Sequence, residues 1–511
     1  AVLVPDRSPG RSRDLDVCVR AFDFGPESQT VWPGFVPVSW NTLYTKERGY
    51  GLARAQPDPN RARDDTFPTR LISDWLWIEE GDFRVDLPNG RYRVWAVFND
   101  CGYWGGEYAR HTVRAIAAEG REACREDRGA HGGDWEALHL FEGVEPRPGA
   151  DLAALYYDRL FAPRVFDVEV KDGQLNLEAK ADAPFSAKLA AVIVAPAGSG
   201  EAAAWVKGSE TANRNEFRSR APETPLPSAP ASAALPAEAK ARGYVLFAPA
   251  EDETVWFTSA ASPRQRPGPG RVARRAAKGE TVAATLAIRP LRDLGALRAE
   301  PTDLLGAAGT IPAGAVTIRA VRHLAKRGFN ALRWKLTPWY LDDAAGTALA
   351  PGLTRQIWIT IAVPRAAKPG EYRGTLALRS SKGLEEAVAL DLTVLPFELE
   401  EPDIPVGFYG MREEWLGTMR QYGMTGLSGG PNIRFKDFGP RGVPRLDFDE
   451  TDRYLDAAAN AGYALPILSY GGPANLEDVG YENAEEVCAA WGKPAGLAAL
   501  DAAKRILGEM R

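Results

Sequence analysis

The sequence predicts a multidomain, mainly β chain: a jelly-roll-type sandwich, a second sandwich, then the first three βα units of a truncated (β/α)8 barrel. Three observations carry this reading. Through about residue 400, short runs of alternating apolar and polar residues recur between turn signals, with helix confined to one connector. The run Tyr372–Leu378, entered through Pro369-Gly370, faces the run Ala387–Val394 across Ser380-Ser381-Lys382-Gly383, which makes a hairpin. After Pro402-Asp403-Ile404-Pro405 the pattern changes to short strand, helix, short strand.

A chain of 511 residues, 45% of them apolar, has material for about three or four packed domains. The net charge of −6 is mild at this length and leaves no nucleic-acid footprint. No apolar run approaches the length of a membrane span. The sequence starts at Ala1 without a signal peptide, which fits a processed secreted or periplasmic protein or a cut fragment. Its 14 Trp residues are abundant enough for a sugar-stacking surface, although core packing is the default role of each. Cys18, Cys101, Cys124 and Cys488 form no close pair; three pairings are open, and free thiols are the simpler expectation.

The first domain is placed at residues 14–196. It opens with Val17–Gly25, and strand-like runs follow at Phe83–Leu87, Tyr92–Asn99, Thr112–Ala118, Trp135–Phe141, Val165–Val170, Leu175–Ala179 and Leu189–Val194. Pro88-Asn89-Gly90 and Asp172-Gly173 are tight-turn signals between them. Many short strands without helices indicate a sandwich or jelly roll. The segments Phe22-Asp23-Phe24-Gly25, Gly34-Phe35, Arg48-Gly49-Tyr50-Gly51 and Leu87-Pro88-Asn89-Gly90-Arg91-Tyr92 resemble the malectin-like or galactose-binding-like domains of bacterial carbohydrate enzymes. The resemblance implies sugar binding. Within the domain, Cys101–Tyr108 clusters glycines with Tyr103 and Trp104, a loop type that presents flat rings to sugar faces.

Residues 197–242 form a connector: a helix over Glu201–Arg220, with Trp205, Val206 and Phe217 as its apolar contacts, then a Pro/Ala/Ser-rich extended linker over Ala221–Ala239. The second sandwich is placed at residues 243–398. Seven runs, Tyr244–Phe247, Thr254–Phe257, Thr281–Arg289, Val316–Val321, Gln356–Val363, Tyr372–Arg379 and Ala387–Val394, match the strand count of an immunoglobulin-like domain. Gly279-Glu280-Thr281, Pro290–Leu294, Val316–Val321 and Pro369–Gly374, in that order, are similar to the domain preceding the catalytic barrel of family 123 glycoside hydrolases. That family includes β-N-acetylgalactosaminidases.

Residues 405–511 read as the barrel start. Val406–Tyr409 is a strand and Glu413–Tyr422 a helix closed by Gly423. Thr425–Ser428 is a second strand, and Asp449–Ala461 a helix capped by Asp447 or Asp449 and closed by Gly462. Leu465–Tyr470 is a third strand and Leu497–Met510 a third helix. A full barrel needs about 250 residues, so the chain is expected to be truncated. Barrel chemistry gathers at the C-terminal ends of strands, which makes Tyr409, Asn432 and Tyr470 the candidate substrate-binding residues here, beside Tyr103 and Trp104.

The resemblance to family 123 implies a retaining reaction assisted by the 2-acetamido group of a β-linked N-acetylhexosaminide. In that family an Asp–Glu pair after the fourth strand orients the acetamido group and serves as acid/base. The pair is expected beyond residue 511, so no catalytic residue is assigned and the chain alone is expected to be inactive. Glu413-Glu414 and Asp447-x-Asp449-Glu450 sit at helix starts and suit the helix dipole. Asp64-Asp65 and Glu79-Glu80 read as loop charges. His111, His131 and His139 with Cys101 and Cys124 fit no zinc spacing, and the glycine clusters lack the strand–loop–helix setting of a phosphate loop. The expected partner is a carbohydrate, with no cofactor and no metal. The alternative is a non-catalytic carbohydrate-binding or cell-surface adhesion protein.

Overall fold

The second half of the strand Gly90–Phe98 is apolar on both faces, and this sets the architecture of the first domain. Tyr92, Val94, Ala96 and Phe98 point into the core between two sheets, while Trp95 and Val97 point the opposite way and need a second cover. The computed structural model describes residues 19–56, 63–64, 67–78, 81–99, 111–129, 144–183, 186–227, 235, 237–250, 253–260, 270–327, 333–402, 404–408, 412–428, 434–438, 444–463 and 467–468. One sheet runs in the order Arg164–Val170, Gly90–Phe98, Lys188–Pro196, Arg20–Phe24, Val36–Val38, with Asp74–Trp77 also on Lys188–Pro196 and Arg63–Asp64 beyond it. The facing sheet runs Tyr50–Leu52, Phe83–Asp86, Gln174–Ala181, Val113–Ala118, Arg121–Asp127. Between them Phe83 meets Phe22 and Phe24 edge-on, with centroids at 4.9 and 5.0 Å.

Two expectations for this domain need correction. The short strands Val36–Val38, Tyr50–Leu52, Arg63–Asp64 and Asp74–Trp77 and the polar strand Arg121–Asp127 carry too little alternation to be read from sequence. The domain is also not free of helix: a π-helical turn, Ala153–Tyr157, runs into Asp158–Leu160. The run Trp135–Phe141 lies outside the described residues.

The second cover is the helix Gly200–Arg220. Ser199 caps it, its Oγ accepting from the Ala202 N–H at 3.2 Å. Ala202, Val206, Asn213 and Phe217 form one buried stripe at helical spacing. That stripe packs in a core with Ala191, Ile193 and Ala195 of the first sandwich and with Trp334, Leu336 and Phe257 of the second. Tyr156 meets Trp334 edge-on at 4.5 Å, and Phe67 packs against Phe217 at 6.0 Å. The connector beyond the helix is docked: Trp334 N–H donates to the Pro222 carbonyl at 3.1 Å, and Thr224 N–H to the Trp334 carbonyl at 2.5 Å. The expected extended linker also ends early, because Ala237–Arg242 is helical.

In the second sandwich one sheet runs Tyr244–Phe247, Thr281–Pro290, Arg355–Ala362, Val316–Arg327, Trp334–Asp343. The other runs Arg271–Lys278, Glu385–Glu398, Gly370–Ser380, Gly295–Pro301, Ala348–Leu349, with Leu304–Gly306 and Gly309–Ile311 alongside. The hairpin read from sequence is present, in register from Gly370↔Val394 to Arg379↔Glu385. Gly370 adopts a φ of +144°, which explains why Pro-Gly opens it. Leu286, Ile357, Ile359, Leu376 and Leu390 are fully buried between the sheets. Thr254–Phe257 is a loop rather than a strand; Val255 and Phe257 are buried because they anchor it.

The chain through Pro396 forms one unit and Phe397–Arg511 another. In the second unit a 3-10 turn, Glu413–Trp415, leads into the helix Leu416–Gln421, and Gly423 follows at a φ of +84°. Leu427–Ser428 pairs in parallel with Ile467–Leu468, and the connection between them contains the helix Asp449–Asn460. A hairpin not anticipated from sequence, Arg434–Phe438 with Pro444–Asp447, lies on the same connection. Neither Asp447 nor Asp449 caps the helix: the N-cap residue is Phe448, and Asp449, Glu450 and Asp452 occupy the first turn, where the dipole favours them. Residues 406–408 are not a strand, although the Val406 carbonyl accepts from Thr425 and Gly426 N–H at 2.7 and 2.9 Å. The described residues thus contain one parallel strand pair of the expected barrel start, and Leu497–Met510 lies outside them. No helix among the described residues is long and apolar enough to cross a membrane.

Candidate functional site

The five residues expected to meet substrate, Tyr409, Asn432, Tyr470, Tyr103 and Trp104, all lie outside the described residues. The strands that precede two of them are described: Ser428 and Leu468 are register partners in the parallel pair.

Glycoside cleavage needs a carboxyl group that can hold and give up a proton next to a substrate. Among the described residues three carboxyls are strongly perturbed within the first unit. Glu126 lies among Arg114, Arg128 and Arg164, at 2.8, 3.0 and 2.9 Å, with His111 Nε2 at 3.6 Å. Burial alone would raise its carboxyl, but the His111 hydrogen bond and the three guanidinium groups hold it far below the ordinary range. Glu145 leaves the first sandwich and enters the second. Arg355 Nη1 sits 2.6 Å from both carboxylate oxygens, and the His323 backbone N–H donates at 3.0 Å. Burial is again outweighed, here by His323 and Arg355, and the carboxyl falls to about 2. His323 is fully buried and stacked on Phe257 at 3.9 Å. Both glutamates are therefore permanent anions saturated by cations, suited to clamping strands and not to proton transfer.

Asp23 is the opposite case. Burial pushes it up to about 7, against the opposing effect of the Trp32 N–H that donates to Oδ2 at 2.7 Å. It is fully buried, with no route for a substrate. The helix-start acids behave as expected: Glu413 pairs with Arg453 at 3.1 Å and Glu414 lies 3.7 Å from Arg412. No group of three His, Cys, Asp or Glu among the described residues could hold a metal ion, and Cys124 is a free thiol.

A feature not anticipated from sequence is a cavity of about 420 Å³ in the first unit, where the helix Gly200–Arg220 meets the outer sheet face. Its floor is Trp95, Val97 and Ile193, and Tyr157 and Phe161 form one wall. Asn213 donates from Nδ2 to Tyr157 Oη at 2.6 Å. Asp158 and Arg214 pair at 2.6 Å, and burial raises the Glu210 carboxyl nearby. A signal for the cavity was present: Trp95 and Val97 alternate with core residues on one strand, so a second apolar layer had to cover them.

Residues 257–380 match the glycoside hydrolase 123 N-terminal domain. Among solved structures, the chain is similar to a family 123 glycoside hydrolase from Clostridium perfringens, studied for glycolipid glycan hydrolysis. Identity is 16% over 39% of this chain and 44% of that one, with a TM-score of 0.34. It is also similar to a Bacillus subtilis protein solved by structural genomics, at 23% identity over 35% of this chain and 40% of that one, TM-score 0.23. A Niemann-Pick type C2 protein from the Japanese carpenter ant aligns at 11% identity over 24% of this chain and 79% of that one, TM-score 0.15. The chain covers less than half the length of the first two. No curated protein sequence matches it.

Proposed function

We propose that this chain, a family-123-like protein through the glycoside hydrolase 123 N-terminal domain at residues 257–380, supplies the non-catalytic scaffold of a secreted or periplasmic glycoside hydrolase. The domain match carries the reading, and the parallel strand pair that follows it is consistent with a barrel start. The substrate class is a β-linked N-acetylhexosaminide or a related polysaccharide, cleaved with retention and with help from the 2-acetamido group. The acid/base step is assigned to no described residue, because the perturbed carboxyls found are clamped by cations or sealed in the core. Tyr409, Asn432 and Tyr470 remain the proposed barrel-rim contacts to substrate.

The test is hydrolysis of an aryl N-acetyl-β-galactosaminide, with product stereochemistry followed by NMR. A polypeptide that continues this chain through a complete barrel is expected to release the retained anomer. Residues 1–511 alone are expected to release none. Turnover by residues 1–511 would place the acid/base pair among residues already in hand and refute the scaffold role. A second reading, a carbohydrate-binding or adhesion protein, is favoured by the aromatic-floored cavity; it predicts glycan binding with no hydrolysis by any longer polypeptide.

A further inference from the structure

We propose that the cavity beneath the helix Gly200–Arg220 binds one neutral saccharide unit, its apolar face on Trp95 and its hydroxyls against Asn213 and Arg214. The location rests on geometry; the choice of a saccharide also rests on the glycan-directed function proposed above.

The cavity exists because the helix covers the outer sheet face incompletely. Ala191 and Ile193 are almost fully buried, whereas Trp95 and Val97, on the neighbouring strand, stay half-buried. An indole left partly open inside a concavity offers a flat apolar surface. The volume of about 420 Å³ falls within the range of roughly 300–1,000 Å³ typical of small-molecule sites.

The polar wall narrows the ligand. Asn213 is 4% exposed; its Nδ2 donates to Tyr157 Oη, and its Oδ1 has no protein partner. With the amide turned the other way, the nitrogen would be the unpaired atom. The neighbouring Arg214 also leaves its buried Nε unpaired, while its Nη2 holds Asp158 at 2.6 Å and Asp151 at 3.5 Å. An unmade buried hydrogen bond costs about 1–3 kcal/mol. A ligand with adjacent hydroxyl groups supplies a donor for Asn213 and an acceptor for Arg214, reached by a small turn of the partly exposed Arg214 side chain. An acyl chain supplies neither. Charge gives no strong pull toward an ionic ligand: the lining sets Asp158 and Glu210 against Lys207 and Arg214, and Asp158 is already paired with Arg214. An amphipathic, uncharged ring with vicinal hydroxyls meets all three conditions.

The experiment uses residues 1–511. Calorimetry and saturation-transfer NMR are run with N-acetylgalactosamine, galactose and glucuronate. A neutral sugar is expected to bind, with glucuronate at least tenfold weaker. Asn213→Ala is expected to weaken binding at least tenfold. Because Asn213 is buried, a second variant is needed: Thr211→Trp places a large ring at the cavity from an exposed helix position. It is expected to abolish binding while the melting temperature stays unchanged. Binding that survives Thr211→Trp overturns the proposal, as does binding lost instead in Trp104→Ala, which moves the sugar site elsewhere but leaves the glycan-directed function standing. Failure of every neutral sugar to bind also overturns it. Failure of the hydrolysis test alone does not, since binding here requires no turnover.

Discussion

Replacing Glu145 by Gln tests whether a buried charge locks the two sandwiches together. Glu145 belongs to the first sandwich, and its partners Arg355 and His323 to the second. Its carboxyl falls from an ordinary 4.5 to about 2, and its side chain is only 14% exposed. At about 1.4 kcal/mol per pH unit, the ionised form contributes about 3.4 kcal/mol to folding at neutral pH. The folded value is depressed, so this stability is fully present above pH 4.5 and is lost as pH falls through about 2. At pH 3 about 1.4 kcal/mol of it remains. The variant also strands the Arg355 guanidinium, which is 2% exposed, and breaking a buried pair from one side costs about 3–5 kcal/mol. Urea unfolding followed by tryptophan emission should show Glu145→Gln less stable than wild type by about 3–5 kcal/mol at pH 7. The gap should narrow by about 2 kcal/mol at pH 3. A gap below about 1 kcal/mol at pH 7, or one that does not change with pH, would refute the clamp.

Trp334→Ala should cost about 3–5 kcal/mol, because the ring is 2% exposed and fills the core shared by both sandwiches; calorimetry should then resolve two transitions in place of one. Glu126→Gln should destabilise the protein at neutral pH, with the deficit shrinking below the ordinary carboxylate range as the unfolded wild-type chain, but not the folded one, takes up a proton at Glu126; unfolding midpoints across pH would show this. Gly306→Ala should cost about 1–3 kcal/mol in urea unfolding, since its new Cβ would lie 2.3 Å from the Glu371 carbonyl oxygen. Gly346→Ala, which meets open space at a φ of +77°, should cost only about 1 kcal/mol in the same assay.

Strands with clean alternation were legible. Thr281–Pro290, Arg355–Ala362 and the hairpin Gly370–Ser380 with Glu385–Glu398 each bury one face, so a period of two survives in the sequence. Arg271–Lys278 was missed because its small alanines separate basic residues with no visible alternation, although Val272, Ala276 and Ala277 are buried. Trp334–Asp343 was missed because its last five residues are exposed; it is an edge strand held mainly by pairing with Val316–Arg327. Thr254–Phe257 misled in the other direction: Val255 and Phe257 look like strand residues, yet they are buried as anchors of a loop. Apolar spacing records burial, and only pairing decides whether the buried segment becomes a strand.

The site was less legible, for a related reason. Motif reading favours loops with clustered aromatics and glycines, and so it selected Tyr103 and Trp104. Both lie outside the described residues; the cavity joins one strand residue, Trp95, one residue of a helical insertion, Tyr157, and one helix residue, Asn213. Each looks structural in its own element: Trp95 as strand filler, Tyr157 as helix packing, Asn213 as a polar interruption of an apolar stripe. The interruption is the informative feature. A position on the buried stripe of the helix, between Val206 and Phe217, would ordinarily carry an aliphatic side chain. An asparagine there costs desolvation, and the single bond to Tyr157 offsets only part of it. An apolar residue at that position would be buried with less loss; the hydroxyl of a ligand in the adjoining cavity, as proposed above, would supply the partner that Asn213 Oδ1 lacks.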